Sequence, residues 1–245
     1  MNDLQSAPAL PEMRDLWQDT LGWQPTPRQQ QDFQAFYAAV LAGNQQQNLT
    51  RITDPVEFWE KHLWDSLRGV SPRLQRSGER AIDIGTGAGF PGVPIAIAYS
   101  KWNVTLLDST QKKINFLTQT LSAMGIFNAR PISDRVEPIG QHPSHRETYD
   151  LALIRAVASA PVCAEYALPL LKVGGTAILY RGQWTPEEDQ ALKAALKKLG
   201  GWIDQYDKFE TPLSHSIRHC LHIRKTEPTA AEFPRAIGIP TQKPL

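Results

Sequence analysis

The chain changes rhythm about a third of the way along. Before that point apolar residues recur at helical spacing. Leu10, Met13, Trp17 and Leu21 form one stripe, and Phe33, Phe36, Tyr37, Val40 and Leu41 form a second that Gly43 closes. Thr26-Pro27 predicts a capped helix start with proline at the first position. Asp54-Pro55-Val56-Glu57 predicts a third start, with Asp54 as the cap and Glu57 reaching back to the cap amide. His62 and Asp65 share a face of that helix.

From Arg80 onward, short apolar runs ending in glycine or a carboxylate alternate with helical patterns. The runs are Ala81–Ile84, Val104–Leu107, Ala129–Ile132, Leu151–Ile154 and Thr176–Tyr180. Helices are expected over Gly92–Tyr99, Gln111–Met124, Asp134–Ile139 and Pro161–Leu171, and from the capping box at Thr185. Such alternation implies a parallel sheet with helices on both faces. Two closing runs, Trp202–Phe209 and His219–Ile223, have no helix between them and should pair antiparallel. The expected fold is α/β with a seven-stranded, mainly parallel sheet. A helical segment, 1–79, packs on the sheet domain, 80–225, and a basic, proline-containing tail covers 226–245. The tail has no periodicity. It either frays, as chain ends commonly do, or packs over the domain or touches RNA.

The chemistry concentrates at the end of the first strand, in Asp83-Ile84-Gly85-Thr86-Gly87-Ala88-Gly89-Phe90-Pro91-Gly92. In an open α/β sheet, ligands bind beyond the carboxyl ends of the strands, and glycines let a turn approach them closely. Gly87-x-Gly89-x-x-Gly92 satisfies the dinucleotide fingerprint. Its register is poor, because the strand ends at Ile84 and Gly85 should open the turn. The alternative, Asp-x-Gly-x-Gly-x-Gly from Asp83 to Gly89, is the first motif of Rossmann-like, class I S-adenosylmethionine-dependent methyltransferases. On this reading Asp83, Gly85 and Gly87 are cofactor residues, and the Asp83 carboxylate suits a positively charged methionine end. The second strand ends at Asp108, 23 residues after Gly85. An acid there can accept both ribose hydroxyls in either cofactor class, or simply cap the next helix.

Composition narrows the partners. Of the 245 residues, 26 are Lys or Arg and 25 are Asp or Glu, a formal charge of +1. Any nucleic-acid contact must therefore come from a local basic patch. Cys163 and Cys220 form no CxxC pair, and a reducing compartment fits. No apolar run approaches the roughly 18 residues of a membrane span. No export signal is evident, so a cytoplasmic, monomeric chain is expected. No metal is expected either: His215, His219 and His222 are close in sequence, but His219 and His222 fall on opposite faces of a strand.

The chain resembles the RsmG/GidB family of bacterial 16S rRNA guanine-N7 methyltransferases from about Asn48 onward. The resemblance is carried by Asn48-Leu49-Thr50, His62–Leu67, Asp83–Pro94, Leu107–Ser109, Arg135–Glu137, Arg155–Ser159, Gly182-Gln183 and the tail from Phe233 to Leu245. It implies S-adenosyl-L-methionine contacts at Gly85, Phe90, Val136, Glu137 and Arg155. Phe90 and Val136 could instead be core, and Glu137 a helix-start carboxylate. The resemblance also implies methylation of a guanine in the decoding-site loop of 16S rRNA, free or within the small ribosomal subunit. Arg155 follows the strand Leu151–Ile154 and is expected to orient the cofactor or the RNA, mattering more for turnover than for folding. A structural ion pair is its alternative role. Guanine N7 has a lone pair and no proton, so no general base is expected. Candidate RNA contacts are Arg51, Lys61, His62, Arg181, Arg218 and Arg235. The competing classes are a small-molecule or protein methyltransferase of the same fold, a non-catalytic RNA-binding protein and a nicotinamide-dependent oxidoreductase.

Overall fold

The computed structural model describes residues 7–71 and 78–245. The expected helical segment thus includes positions 1–6 and 72–77, which lie outside the described residues. The segment opens with α1 (Arg14–Leu21) and α2 (Pro27–Asn44). The Thr26 side chain caps α2, and Gln29 returns the bond to the Thr26 amide. α3 (Pro55–Phe58), a π-helical turn (Trp59–Trp64) and α4 (Asp65–Arg68) follow without a break. Asp54 Oδ1 accepts from the amides of both Val56 and Glu57 at 2.9 Å. Glu57 does not close the expected box; its carboxylate meets Lys61, one turn on, at 2.7 Å instead.

The sheet runs β3-β2-β1-β4-β5-β7-β6. Its strands are β1 (Arg80–Ile84), β2 (Asn103–Asp108), β3 (Ala129–Ser133), β4 (Tyr149–Arg155), β5 (Leu171–Arg181), β6 (Gly201–Glu210) and β7 (Ile217–Lys225). The first five are parallel; β7 is antiparallel to both β5 and β6. Between them run α5 (Gly92–Ala98), α6 (Gln111–Met124), α7 (Val136–Gln141), α8 (Ala160–Ala167) and α9 (Pro186–Leu199), and α10 (Ile239–Gln242) lies in the tail. α8 ends earlier than its pattern predicts. Leu168–Leu170 form a 3₁₀ turn and Leu171 already belongs to β5, since Pro169 interrupts regular helical bonding.

Each face of the sheet carries its own core. On one side, Ile82, Ile84, Ala152 and Leu179 meet the helical side chains of Val162, Leu192 and Leu196. On the other, Leu106 and Leu153 share a cluster with Trp17, Phe36, Phe58, Trp59 and Trp64 of the helical segment. That segment is therefore one wall of the sheet's core. Trp17 and Trp59 meet edge to face at 4.8 Å, a geometry worth about 0.5–1.5 kcal/mol beyond its buried area.

The tail packs over the domain. Arg146 donates to the carbonyls of Thr229, Ala230 and Phe233, and Phe233 is buried in the core that holds Ile82 and Val162. Among the described residues no helix is long and apolar enough to cross a membrane.

Candidate active site

Strand order reverses between β1 and β4, which opens a crevice beyond their carboxyl ends. One cavity lies there, and a second adjoins it beyond the ends of β4 and β5. The first, about 190 Å³, is lined by Gly85, Asp108, Val136, Val157, Tyr166 and Thr241 among others. The second, about 590 Å³, includes Lys61, His62, Asp65, Arg155, Arg181 and Arg218.

The glycine turn leaves β1 with φ of +72° at Gly85, +60° at Gly87 and +104° at Gly89. A Cβ on Gly85 would lie 2.6 Å from Val157 Cγ2, while one on Gly87 would meet nothing closer than 3.9 Å. Gly85 is thus fixed by packing, and space stands open over Gly87. The Gly87 amide donates to Asp108 Oδ2 at 3.0 Å, and the Thr110 amide donates to Asp108 Oδ1 at 2.8 Å. Asp108 therefore borders the first cavity and caps the next turn.

Asp83 sits elsewhere than the motif implies. It is fully buried behind the turn, where Oδ2 accepts from Thr86 Oγ1 at 2.6 Å and from the Gly92 amide at 2.8 Å. Oδ1 is buried without a hydrogen-bond partner, and burial pushes the carboxyl up to about 6. The side chain anchors the turn and does not line the cavity. It also takes the Gly92 amide, the one a pyrophosphate would need under the dinucleotide fingerprint.

Val136 lines the first cavity. The Glu137 carboxylate does not: it accepts from Arg135, from the Tyr166 hydroxyl and from the Gly238 amide. Burial pushes Glu137 up, but Arg135 and the Gly238 amide outweigh it and hold the carboxyl below its ordinary range. Glu137 thus ties the tail to the edge of the cavity. Phe90 lines neither cavity. Its ring stacks on His62 at 4.1 Å and 7° and meets Phe36 and Phe58, so it occupies the core position that was its alternative.

Arg155, at the end of β4, converges with the helical segment. Its Nη1 donates to the Lys61 carbonyl at 2.9 Å and to Asp65 Oδ2 at 3.2 Å, and Nη2 faces His62 Nδ1 at 3.3 Å. A guanidinium only donates, so Nδ1 accepts and the ring proton is on Nε2, which donates to Thr50 Oγ1 at 2.8 Å. Burial, with Arg155 and Lys61 nearby, pushes His62 down to about 3. His62 is therefore neutral, and the positive charge its RNA candidacy supposed is absent. Both ring nitrogens are engaged in holding Arg155 and the Asn48–Thr50 segment. Asn44 completes that clamp by bonding the amides of Leu49 and Thr50 and the carbonyl of Thr50.

The other cationic candidates divide. Lys61, Arg181 and Arg218 line the second cavity, although Lys61 also pairs with Glu57 and Arg181 with Glu188 at 2.8 Å. Arg51 is exposed beside Ile52, which lines it too. Arg235 is not brought there. Its guanidinium is bidentate on buried Glu165, at 2.9 and 2.6 Å, and it fastens the tail to α8.

Sequence reasoning missed Asn44, Tyr166, Thr241 and the roles of Thr50 and Val157. No local pattern marks Asn44 or Tyr166; Thr50, Val157 and Thr241 lie in stretches that carry the family resemblance, which gave them no role. His62 and Asp65 carried a signal in their shared helical face, but not its purpose.

The family model described as "GidB: rRNA small subunit methyltransferase G" matches residues 29–218. The chain is 60% identical over 240 residues to the ribosomal RNA small subunit methyltransferase G of Nostoc punctiforme, covering 96% of this chain and 98% of that protein. It is 54% identical over 250 residues to the protein of the same name from Trichodesmium erythraeum, covering 100% and 98%. Among solved structures, a SAM-dependent methyltransferase from Aquifex aeolicus superposes with a TM-score of 0.52 at 16% identity, covering 71% of this chain and 95% of that one. A 16S rRNA (adenine(1408)-N(1))-methyltransferase mutant from Catenulisporales acidiphilia, solved with its cosubstrate SAM, gives 0.53 at 16% identity, covering 65% and 91%. These two likenesses carry the fold; the sequence matches carry the lineage, and by them the chain belongs to the GidB family of rRNA small subunit methyltransferases G.

Proposed function

We propose that the chain methylates N7 of a guanine in the decoding-site loop of 16S rRNA, guanine 527 in the usual numbering, with S-adenosyl-L-methionine as methyl donor. The supporting observation is the pair of cavities joined by Arg155–Ala158 at the sheet's switch point, in a chain of this family. The residues fit the donor. A carboxylate, Asp108, borders the first cavity where ribose hydroxyls need an acceptor, and the open space over Gly87 admits close backbone approach. The first cavity is smaller than whole-ligand pockets of roughly 300–1,000 Å³, and its size suits the nucleoside end.

When bound, S-adenosylmethionine supplies a methyl group on a positively charged sulfur. Asp108 would bind the ribose, Val136 would wall the adenine, and the Gly85 turn would set the depth of the cofactor. Arg155 holds the second cavity's wall to the first. Guanine N7 carries a lone pair and no proton, so the chain needs no base; the methyl–sulfur bond would break as the N7–methyl bond forms, and S-adenosylhomocysteine would leave. His62, neutral with both nitrogens engaged, is consistent with that. Orientation of this kind can supply about 7–11 kcal/mol of barrier reduction. The cationic side chains around the second cavity would hold flanking phosphates. The partner is 16S rRNA or the small subunit that contains it, in the cytoplasm.

Small subunits lacking the modification, incubated with labelled S-adenosylmethionine and this chain, should gain one label mapping to guanine N7. Subunits carrying 7-deazaguanosine at the target lack the nucleophile and should gain none. Full transfer to the deaza substrate would overturn the N7 assignment.

A further inference from the structure

The second cavity, about 590 Å³, has room for a purine base with its sugar. It is one short turn away from the first. Arg155 and Ala156 line the second cavity, Val157 and Ala158 the first. Ala156, at the joint, has φ +56°, a conformation that costs a non-glycine residue about 1–3 kcal/mol and clusters at functional sites.

The lining of this cavity is not that of a simple phosphate groove. It holds Lys61, Arg155, Arg181 and Arg218, yet among these cations stands Asp65, the one carboxylate in the lining. A carboxylate opposes phosphate binding by like-charge repulsion. It suits a ligand that presents hydrogen-bond donors. Guanine does so on its Watson–Crick edge, where N1–H and N2–H₂ lie side by side and match two carboxylate oxygens. Adenine presents the N1 lone pair at that place, which a carboxylate repels. Enzymes that act on an extruded base commonly read this edge. Arg155 occupies one position on Asp65 Oδ2, and a carboxylate offers about four. N7 lies at the far end of the purine from N2, so an edge held by Asp65 leaves N7 free to face the first cavity.

We propose that the second cavity seats the extruded acceptor guanine and that Asp65 accepts from its N1–H and N2–H₂, making Asp65 a specificity-determining residue. The proposal rests on the guanine-N7 reading above.

The test uses small subunits reconstituted with 16S rRNA carrying guanosine, inosine or adenosine at the target. Inosine keeps N7, O6 and N1–H and lacks only the 2-amino group. With the unaltered chain, inosine should react at least about tenfold slower than guanosine in single turnover, as expected for loss of a hydrogen bond to a charged group, and adenosine should not react. In Asp65→Asn the guanosine rate should fall, and the guanosine-to-inosine ratio should shrink to within about twofold. A purely structural Asp65 would slow both substrates equally and leave the ratio intact. Equal rates for guanosine and inosine with the unaltered chain would overturn the proposal, and that arm needs no variant to fold. A ratio unchanged in Asp65→Asn, with S-adenosylhomocysteine still bound, would also overturn it. No transfer to guanosine by a chain that binds S-adenosylhomocysteine would instead sink the function reading, and this proposal with it.

Discussion

The Arg155 guanidinium lies 3.2 Å from the Asp65 carboxylate and ties the end of β4 to the helical segment. The side chains are 17% and 12% exposed, so this is a partly desolvated pair and not a surface one. The expectation that Arg155 matters mainly for turnover therefore changes. Its guanidinium also holds the Lys61 carbonyl and His62, so the atoms that line the second cavity also tie β4 to the helical segment.

Removing Arg155 should destabilise the chain. Arg155→Ala leaves Asp65 without its pair and should cost about 3–5 kcal/mol, read by chemical denaturation. Arg155→Lys keeps the charge but loses the planar fork, and should cost less in stability while still slowing methyl transfer. A melt of Arg155→Ala matching the unaltered chain would show that the pair carries no load in the fold.

Gly85→Ala should lose cofactor affinity at least tenfold in calorimetric titration with S-adenosylhomocysteine. The new Cβ would lie 2.6 Å from Val157 Cγ2, at a φ of +72°. Adding Val157→Ala removes the clash but leaves the backbone penalty of about 1–2 kcal/mol, so recovery should be partial. Unchanged affinity in the single variant would mean that the turn yields at no cost.

Asp108→Ala should weaken S-adenosylhomocysteine binding by about 1.5–3 kcal/mol, the worth of charge-assisted bonds. The substitution also releases the Gly87 and Thr110 amides, so thermal melts belong beside the titration. Lowered melting with intact affinity would leave Asp108 as a cap alone.

The pH dependence of stability should expose Asp83. Its folded value of about 6 lies above the ordinary 3.8 because it is buried. The native chain then holds a proton between these values that the unfolded chain has released. The stability from this group is full below pH 3.8 and is lost as pH rises through 6, by roughly 3 kcal/mol. His62 acts with the opposite sign. It is lowered from 6.5 to about 3, so its contribution is present above pH 6.5 and is lost as pH falls toward 3. The two nearly cancel between pH 4 and 6 in the unaltered chain, and the difference from Asp83→Asn isolates the first. Relative to that variant, the unaltered chain should lose roughly 3 kcal/mol between pH 4 and 7. Parallel curves would show Asp83 ionised throughout.

The sheet could be read from the chain because its central strands β1, β2 and β4 carry continuous apolar runs buried on both faces, whereas the edge strands β3 and β6 are more polar and only partly buried. The missing helix before His219–Ile223 likewise dictated the antiparallel β6–β7 pair. The glycine turn and Asp108 were legible for a related reason: both sit where a strand ends, and strand ends in such sheets face the ligand. Boundaries and caps were less secure, since Glu57 had two partners within reach and chose Lys61.

What tertiary structure alone decided is which side chains meet. Nothing local says that Arg155 will reach back to Lys61, His62 and Asp65, residues at least 90 positions away. Nor does it say that the Gly238 amide will take Glu137 across 101 positions, or that Asp83 will turn behind its loop. Element type follows from short-range propensity and the period of apolar residues, which the chain states directly. Side-chain partnership follows from how whole elements settle against one another. There the desolvation of a single carboxylate or guanidinium outweighs any local preference, and only the packed molecule settles where each one finds its partner.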